Sequence, residues 1–220
     1  MNKKWILLSL LFAMGLVFAI QPAEEWTVGA TGRYASAANA NVTTEGGNVT
    51  NVNLTGNVST EKWAGYWGNV SGQIVLSPGT AMFYTWAWDS SDGGEVCAVA
   101  APSGFNWATV TTVAVGVVDA AWAFVAGDAD SATNTLTESC NVNIGGIPVT
   151  ASAGETTGGG AFQTCAVSDG GVAKSDLAFC VNITQGGTLF NALTGDYQLL
   201  APANETLGAT ETHYFWLELD

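Results

Sequence analysis

Histidine is nearly absent from this chain: His213 is the only one. A Ser-His-Asp or Cys-His site would rest on that residue alone, and it lies in the last strand-like run, where a surface role is expected. Strong cations are scarce. Five Lys and Arg face nineteen Asp and Glu, for a net charge of −14. Such a surface repels phosphate backbones and excludes nucleic-acid binding. Charge of either sign is thin: Asp, Glu, Lys and Arg make up 11% of residues, against about a quarter in a typical soluble domain. Something other than charge must hydrate the surface. No Cys-x-x-Cys pair occurs, which with one His argues against a thiolate zinc site. Beyond the first twenty residues no apolar run reaches spanning length.

The N-terminus supplies the compartment. Lys3 and Lys4 precede the apolar run Ile6–Ile20, and Val17-Phe18-Ala19 offers small residues for cleavage after Ala19. Residues 1–19 read as a signal peptide, and the chain is expected outside the cell, with membrane contact only through this segment if it escapes cleavage. Residues 20–40 read as an N-terminal arm and 41–220 as one β domain, long enough to bury a core. Cys97, Cys140, Cys165 and Cys180 form an even set in an exported chain. That predicts two disulfides, with three possible connectivities. Cys97–Cys180 with Cys140–Cys165 is the favoured one.

Glycine pairs punctuate the chain at 46–47, 93–94, 145–146, 170–171 and 186–187. Runs rich in Val, Thr, Ile and aromatics lie between them. This is the pattern of short strands joined by tight turns, and it predicts an all-β fold: an antiparallel β-sandwich, jelly-roll or immunoglobulin-like. Candidate strands lie near 48–59, 68–76, 81–88, 95–101, 107–117, 135–144, 147–152, 161–168, 177–184, 196–201 and 211–219. MFYTWAWD, residues 82–89, is apolar on both faces, as a central strand would be. Residues 117–127 are alanine-rich and fit either a short helix or a strand. No repeat of fixed period is present.

Seven Asn-x-Ser/Thr sequons occur, at Asn41, Asn48, Asn53, Asn57, Asn69, Asn182 and Asn204. In six the middle residue is apolar. On a strand, residues i and i+2 share a face and i+1 points opposite. A glycan acceptor must be exposed, so an apolar middle residue suits a half-buried strand. NVNLTGNVS, residues 51–59, then reads as a strand with Val52, Leu54 and Val58 inward and Asn53 and Asn57 outward. Glycans on these sites would hydrate a surface poor in charge.

Little else carries chemistry. Asp128 and Asp130 in DADSATN, and Asp89 and Asp92 with Glu95 in DSSDGGE, are candidate calcium ligands, although the first lacks the glycine and the closing Glu of an EF-hand loop. No other cofactor is implied. Trp63, Tyr66 and Trp67 in EKWAGYWG are the best candidates for a surface that stacks on sugars or on a partner. Scattered carboxylates leave a hydrolase as a third reading, with no pair singled out.

NVSTEKWAGYWGNVSG, LAFCVNITQ, DYQLLAP and the terminal HYFWLEL together resemble secreted archaeal cell-surface glycoproteins. The resemblance implies an exported, glycosylated β-sandwich of structural role, and some related proteins polymerise into extracellular filaments. It points to self-association into a filament or sheath by β-strand addition, with the donor strand in the arm 20–40 around Trp26–Val28. A carbohydrate-binding or adhesive module is the alternative.

Overall fold

The computed structural model describes residues 20–35, 41–79, 81–156, 162–204, 206 and 208–220. The expected signal peptide lies outside these residues. The first elements are β1 (Gln21–Pro22), β2 (Trp63–Gly68), β3 (Gly72–Leu76), β4 (Tyr84–Trp88), β5 (Gly94–Val99), β6 (Thr111–Thr112), α1 (Val115–Trp122) and α2 (Ala132–Thr135). They are followed by β7 (Glu138–Ile144), β8 (Ile147–Glu155), β9 (Gln163–Ser168), β10 (Leu177–Asn182), β11 (Gly187–Thr188), β12 (Thr194–Gly195), β13 (Tyr197–Pro202) and β14 (Tyr214–Leu219). Every strand pair among the described residues is antiparallel. The fold is all-β, as the turn punctuation predicts.

One sheet dominates, in the order β1-β14-β5-β10-β9-β8-β7, with β6 also on β9. Its central strands are buried on both faces, so β5 and β10 are almost continuously apolar and β9 is apolar at its centre, Cys165 to Val167. On one face Val96, Ala98, Ala166, Leu177, Phe179 and Val181 pack with Leu199 and Ala201 of β13 and Val118 and Trp122 of α1. The β2–β13 ribbon and α1 therefore cover this side. The opposite face carries Cys97, Val99, Cys165, Val167, Ala178 and Cys180, packed against Val142, Ile144, Val149 and Ala151 of the β7–β8 hairpin.

That second contact requires the sheet to curl. Cys140 on β7 is disulfide-bonded to Cys165 on β9, and the two Cα atoms are 5.9 Å apart. Strand β8 lies between them in the sheet, and strands two apart in a flat sheet would stand about 9.5 Å apart. The hairpin is thus folded back over the concave face. Cys97–Cys180 instead joins directly opposed residues of neighbouring strands β5 and β10. Both disulfides have the favoured connectivity, and such bonds belong to an oxidising compartment. No helix among the described residues is long and apolar enough to cross a membrane.

Several local expectations differ from the structure. The first half of residues 117–127 resolves as helix: α1 ends at Trp122 and places Val118 and Trp122 against the core. It ends at Ala123 in the left-handed region, where the Phe124 N–H donates to the Asp119 carbonyl at 2.8 Å. The predicted strand 107–117 is a 3-10 turn, the two-residue β6 and the start of α1. The predicted strand 48–59 does not form, and Val49, Val52, Leu54 and Val58 are all exposed. Their alternation has no neighbouring strand to pack against among the described residues. MFYTWAWD is likewise not central. β3 and β4 make a separate two-stranded ribbon with Ile74, Leu76, Met82, Phe83, Tyr84 and Trp86 exposed. At the root of the arm Ile20 is buried in the chain's own core and β1 pairs with the chain's own β14, while Trp26 and Val28, the strand-like part, are exposed.

At the start of β5 the backbone comes unusually close to its neighbour. Gly94 has φ +124°, and a Cβ there would lie 2.1 Å from the Glu218 carbonyl oxygen. Gly93, at φ +100°, would place its Cβ 4.0 Å from Asp220. Gly94→Ala is therefore expected to cost about 3 kcal/mol of unfolding free energy, combining clash and backbone strain. Gly93→Ala should cost about 1 kcal/mol, from strain alone. Urea midpoints at unchanged m-value measure both, and equal losses would refute the close approach.

Candidate functional site

Charge is scarce in this chain, and two carboxylates are nonetheless buried side by side. Glu95 of β5 and Glu218 of β14 are register partners on neighbouring strands, with 4% and 2% exposure. Both lie on the concave face, in phase with Cys97 and Trp216. Exposed Asp220 completes a group whose oxygen atoms can be chosen within 4.8 Å of one another.

The turn of the β7–β8 hairpin reaches over and donates to both carboxylates. The Asn143 N–H gives 3.0 Å to Glu95 Oε1. The Gly145 N–H forks onto Glu218, at 3.0 Å to Oε1 and 2.8 Å to Oε2. Gly145 and Gly146 both have positive φ, which a two-residue hairpin turn requires. Glu95 Oε2 is buried without a hydrogen-bond partner. Burial pushes the Glu95 carboxyl up to about 7, opposed by the Asn143 N–H and reinforced by the nearby Glu218 and Asp220 charges. Glu218 is raised as well, first by burial, against the Gly145 N–H. A recess of about 330 Å³ beside the cluster is lined by Gly93, Glu95, Asn143, Pro148, Asn182 and Asp220. An all-carboxylate group of this kind can hold a proton or a hard cation.

Sequence reasoning named Glu95 but grouped it with Asp89 and Asp92, which the structure places elsewhere. Asp89 and Asp92 close their own turn: Asp89 Oδ1 accepts from Ser91 N at 2.8 Å, and Asp92 Oδ2 accepts from Asp89 N at 2.9 Å. Glu218 and Asp220 were missed. The available signal was a lone carboxylate inside a run apolar on both faces, YFWLEL. Asp128 and Asp130 are not arranged as a calcium loop. They grip the buried Lys62 ammonium at 2.6 and 2.8 Å, beside the Phe124 ring.

The aromatic trio is split. The Trp63 Nε1–H donates to the Asp130 carbonyl at 2.8 Å, and the ring packs on Phe124 and Phe179. Tyr66 meets Phe215 edge-on and bonds His213 Nδ1 at 2.8 Å. Only Trp67 is exposed, and its companion is Phe190, with ring centroids 5.7 Å apart. His213 is half-buried, a bridge and not a surface residue. Its Nε2 lies 2.9 Å from the Pro202 carbonyl. A carbonyl only accepts, so Nε2 carries the proton and Nδ1 accepts from Tyr66.

Six sequon asparagines are exposed: Asn41, Asn48, Asn53, Asn57, Asn69 and Asn182. Asn204 is half-buried. The inward apolar middle residue is realised at Ile183, which is buried, and at Val70, which packs on the core. It is not realised in the segment 41–59. Comparison with protein-family models, curated proteins and solved structures finds no match.

Burial holds the His213 imidazole below its ordinary 6.5. The unfolded chain then binds more protons as pH falls, so this contribution is complete above 6.5 and is lost as pH drops through the folded value. Glu95 and Glu218 are shifted up and act with the opposite sign, favouring lower pH. The comparison with His213→Gln isolates the histidine. Gln offers both a donor and an acceptor and does not titrate. Between pH 8 and pH 5 in chelator, the melting temperature of the wild type should fall relative to that of the variant. Parallel curves would refute the neutral bridge.

Proposed function

We propose that this chain is a secreted, N-glycosylated structural protein of the cell surface, a β-sandwich subunit that self-associates by β-strand addition into a filament or sheath. One observation carries the reading. The apolar surface that the sequence patterns as strand but the chain leaves uncovered is concentrated in the β3–β4 ribbon and in the segment 41–59. The ribbon pairs with no other strand among the described residues. The segment carries the alternation of a strand with no strand beside it. Laid along the ribbon of a second copy, it would turn Val52, Leu54 and Val58 inward and leave Asn53 and Asn57 outward for glycans. A head-to-tail contact of this kind does not close on itself and therefore propagates.

In this reading the donor is 41–59 in preference to the arm 20–40, whose root pairs within its own subunit. Glycans on exposed asparagines would supply the hydration that sparse charge does not. The two disulfides fit an extracellular compartment.

Negative-stain microscopy of the purified full chain should show ordered polymers. Deleting 41–59, or replacing Phe83 and Trp86 with Ser, should abolish them while near-UV circular dichroism is retained. A wild-type chain that stays monomeric at high concentration would overturn the reading. Intact mass of native material checks the glycans. The exposed Trp67–Phe190 pair favours the carbohydrate-binding alternative. If that alternative holds, a glycan should quench tryptophan fluorescence in the wild type and not in Trp67→Ala. Absence of quenching across a glycan panel removes it.

A further inference from the structure

We propose that Glu95, Glu218 and Asp220 form a calcium-binding site that locks the β7–β8 hairpin onto the main sheet. The cluster alone would not carry this. The orphaned oxygen of Glu95 and the lack of a counter-charge among the described residues do. Glu95 is 4% exposed, and its Oε2 has no hydrogen-bond partner, although Oε1 is engaged by Asn143. A buried carboxylate oxygen left empty costs free energy unless something occupies it. Its neighbours Glu218 and Asp220 supply the other oxygens, with ligating atoms within 4.8 Å of one another.

No counter-charge among the described residues answers them. Among the described residues the strong cations are Arg33, Lys62 and Lys174. Arg33 pairs with Glu61, Lys62 with Asp128 and Asp130, and Lys174 with Glu211. Buried charges are paired or hold a metal ion.

The donor set selects the ion. All donors are oxygen. The one histidine is engaged by Tyr66 and Pro202, and the four cysteines are in disulfides. That disfavours zinc and other N- or S-seeking metals. Calcium accepts six to eight oxygens in irregular geometry, whereas magnesium demands a near-ideal octahedron and gives up water reluctantly. The carboxylates come from two strands and a segment just beyond β14, and Asp220 opens on the recess of about 330 Å³, which leaves room for water ligands. An affinity in the range of extracellular modules, about 0.1–1 mM, is expected for so few protein ligands.

The mechanical consequence follows from the hydrogen bonds in place. Glu95 holds Asn143 and Glu218 holds Gly145. An ion joining the two carboxylates would tie β5, β14 and the hairpin turn together. The disulfide Cys140–Cys165 already ties the other end of β7.

The test uses the purified full chain, with calcium chloride as the probe. Thermal melts are run in chelator, in 5 mM calcium, in 5 mM magnesium and in sodium chloride of matched ionic strength, with isothermal titration alongside. Calcium should raise the midpoint by about 5 °C over chelator, and by clearly more than magnesium or sodium. Asp220→Asn, at an exposed position, should keep the fold and weaken calcium affinity at least tenfold; Glu95→Gln should abolish the response. A calcium response absent, matched by magnesium and sodium, or unchanged in Asp220→Asn and lost in Asp128→Asn would overturn the proposal. Retention of near-UV circular dichroism in Asp220→Asn keeps the test valid if Glu95→Gln fails to fold.

Discussion

Closure of the sheet rests on two buried glutamates placed opposite each other on neighbouring strands. Each carboxylate accepts a backbone N–H from the end of the β7–β8 hairpin, which would otherwise hang free, and so ties the curled end of the sheet back onto its middle. The backbone conforms to them. Gly94 must be glycine because the Glu218 carbonyl oxygen occupies the place of its side chain. Gly145 must take a left-handed turn for its N–H to fork onto Glu218. With Cys140–Cys165 near the other end of β7, the hairpin is held covalently at one end and electrostatically at the other. A hydrophobic pair at 95 and 218 would pack, but it would leave the Asn143 and Gly145 N–H groups without acceptors, a loss of about 1–3 kcal/mol each.

The strands that lie in the main sheet were legible wherever neighbouring strands realise the alternation. β5, β7, β8, β9, β10, β13 and β14 fall within a few residues of the runs between glycine pairs. Phe215, Leu217 and Leu219 share a face as their spacing requires. The disulfide pairing was legible too. What failed has a common cause. Residues 48–59 and 82–89 carry strand patterns, and a pattern states only what a segment needs, not whether the same chain supplies it. β2 was hidden because Trp63 and Trp67 read as a binding surface, although Trp63 mostly fills the core's edge. The acidic cluster was half legible: Glu95 stood out, but its partner is 123 positions away along the chain, and cross-strand register cannot be read from local sequence.

The same contrast separates two kinds of apolar surface. The core buries Phe179, Leu177, Leu199 and Val118 almost completely. The ribbon and the segment 41–59 leave residues of equal hydrophobicity in water. At about 25 cal/mol per Å² this exposure is costly to a monomer, and a contiguous apolar patch on a soluble chain marks an interaction surface. Negative net charge with few cations would keep such chains apart in solution, so any association must come from apolar contact and backbone hydrogen bonding and not from salt bridges.

Closure and association are therefore physically separable. The hairpin lock lies within one subunit and involves carboxylates, a turn and a disulfide. The exposed ribbon and segment 41–59 share no residue with it. β1 links the two regions in sequence: Ile20 is anchored in the core, and Ala23 N–H donates to the Phe215 carbonyl at 3.0 Å. Loosening β14 would disturb both the lock and the root of the N-terminal arm, whereas shortening the segment 41–59 would leave the lock intact. Under the proposed strand addition the dependence runs one way, from the core outward, because a donor segment would need a rigid base and the core does not need the segment.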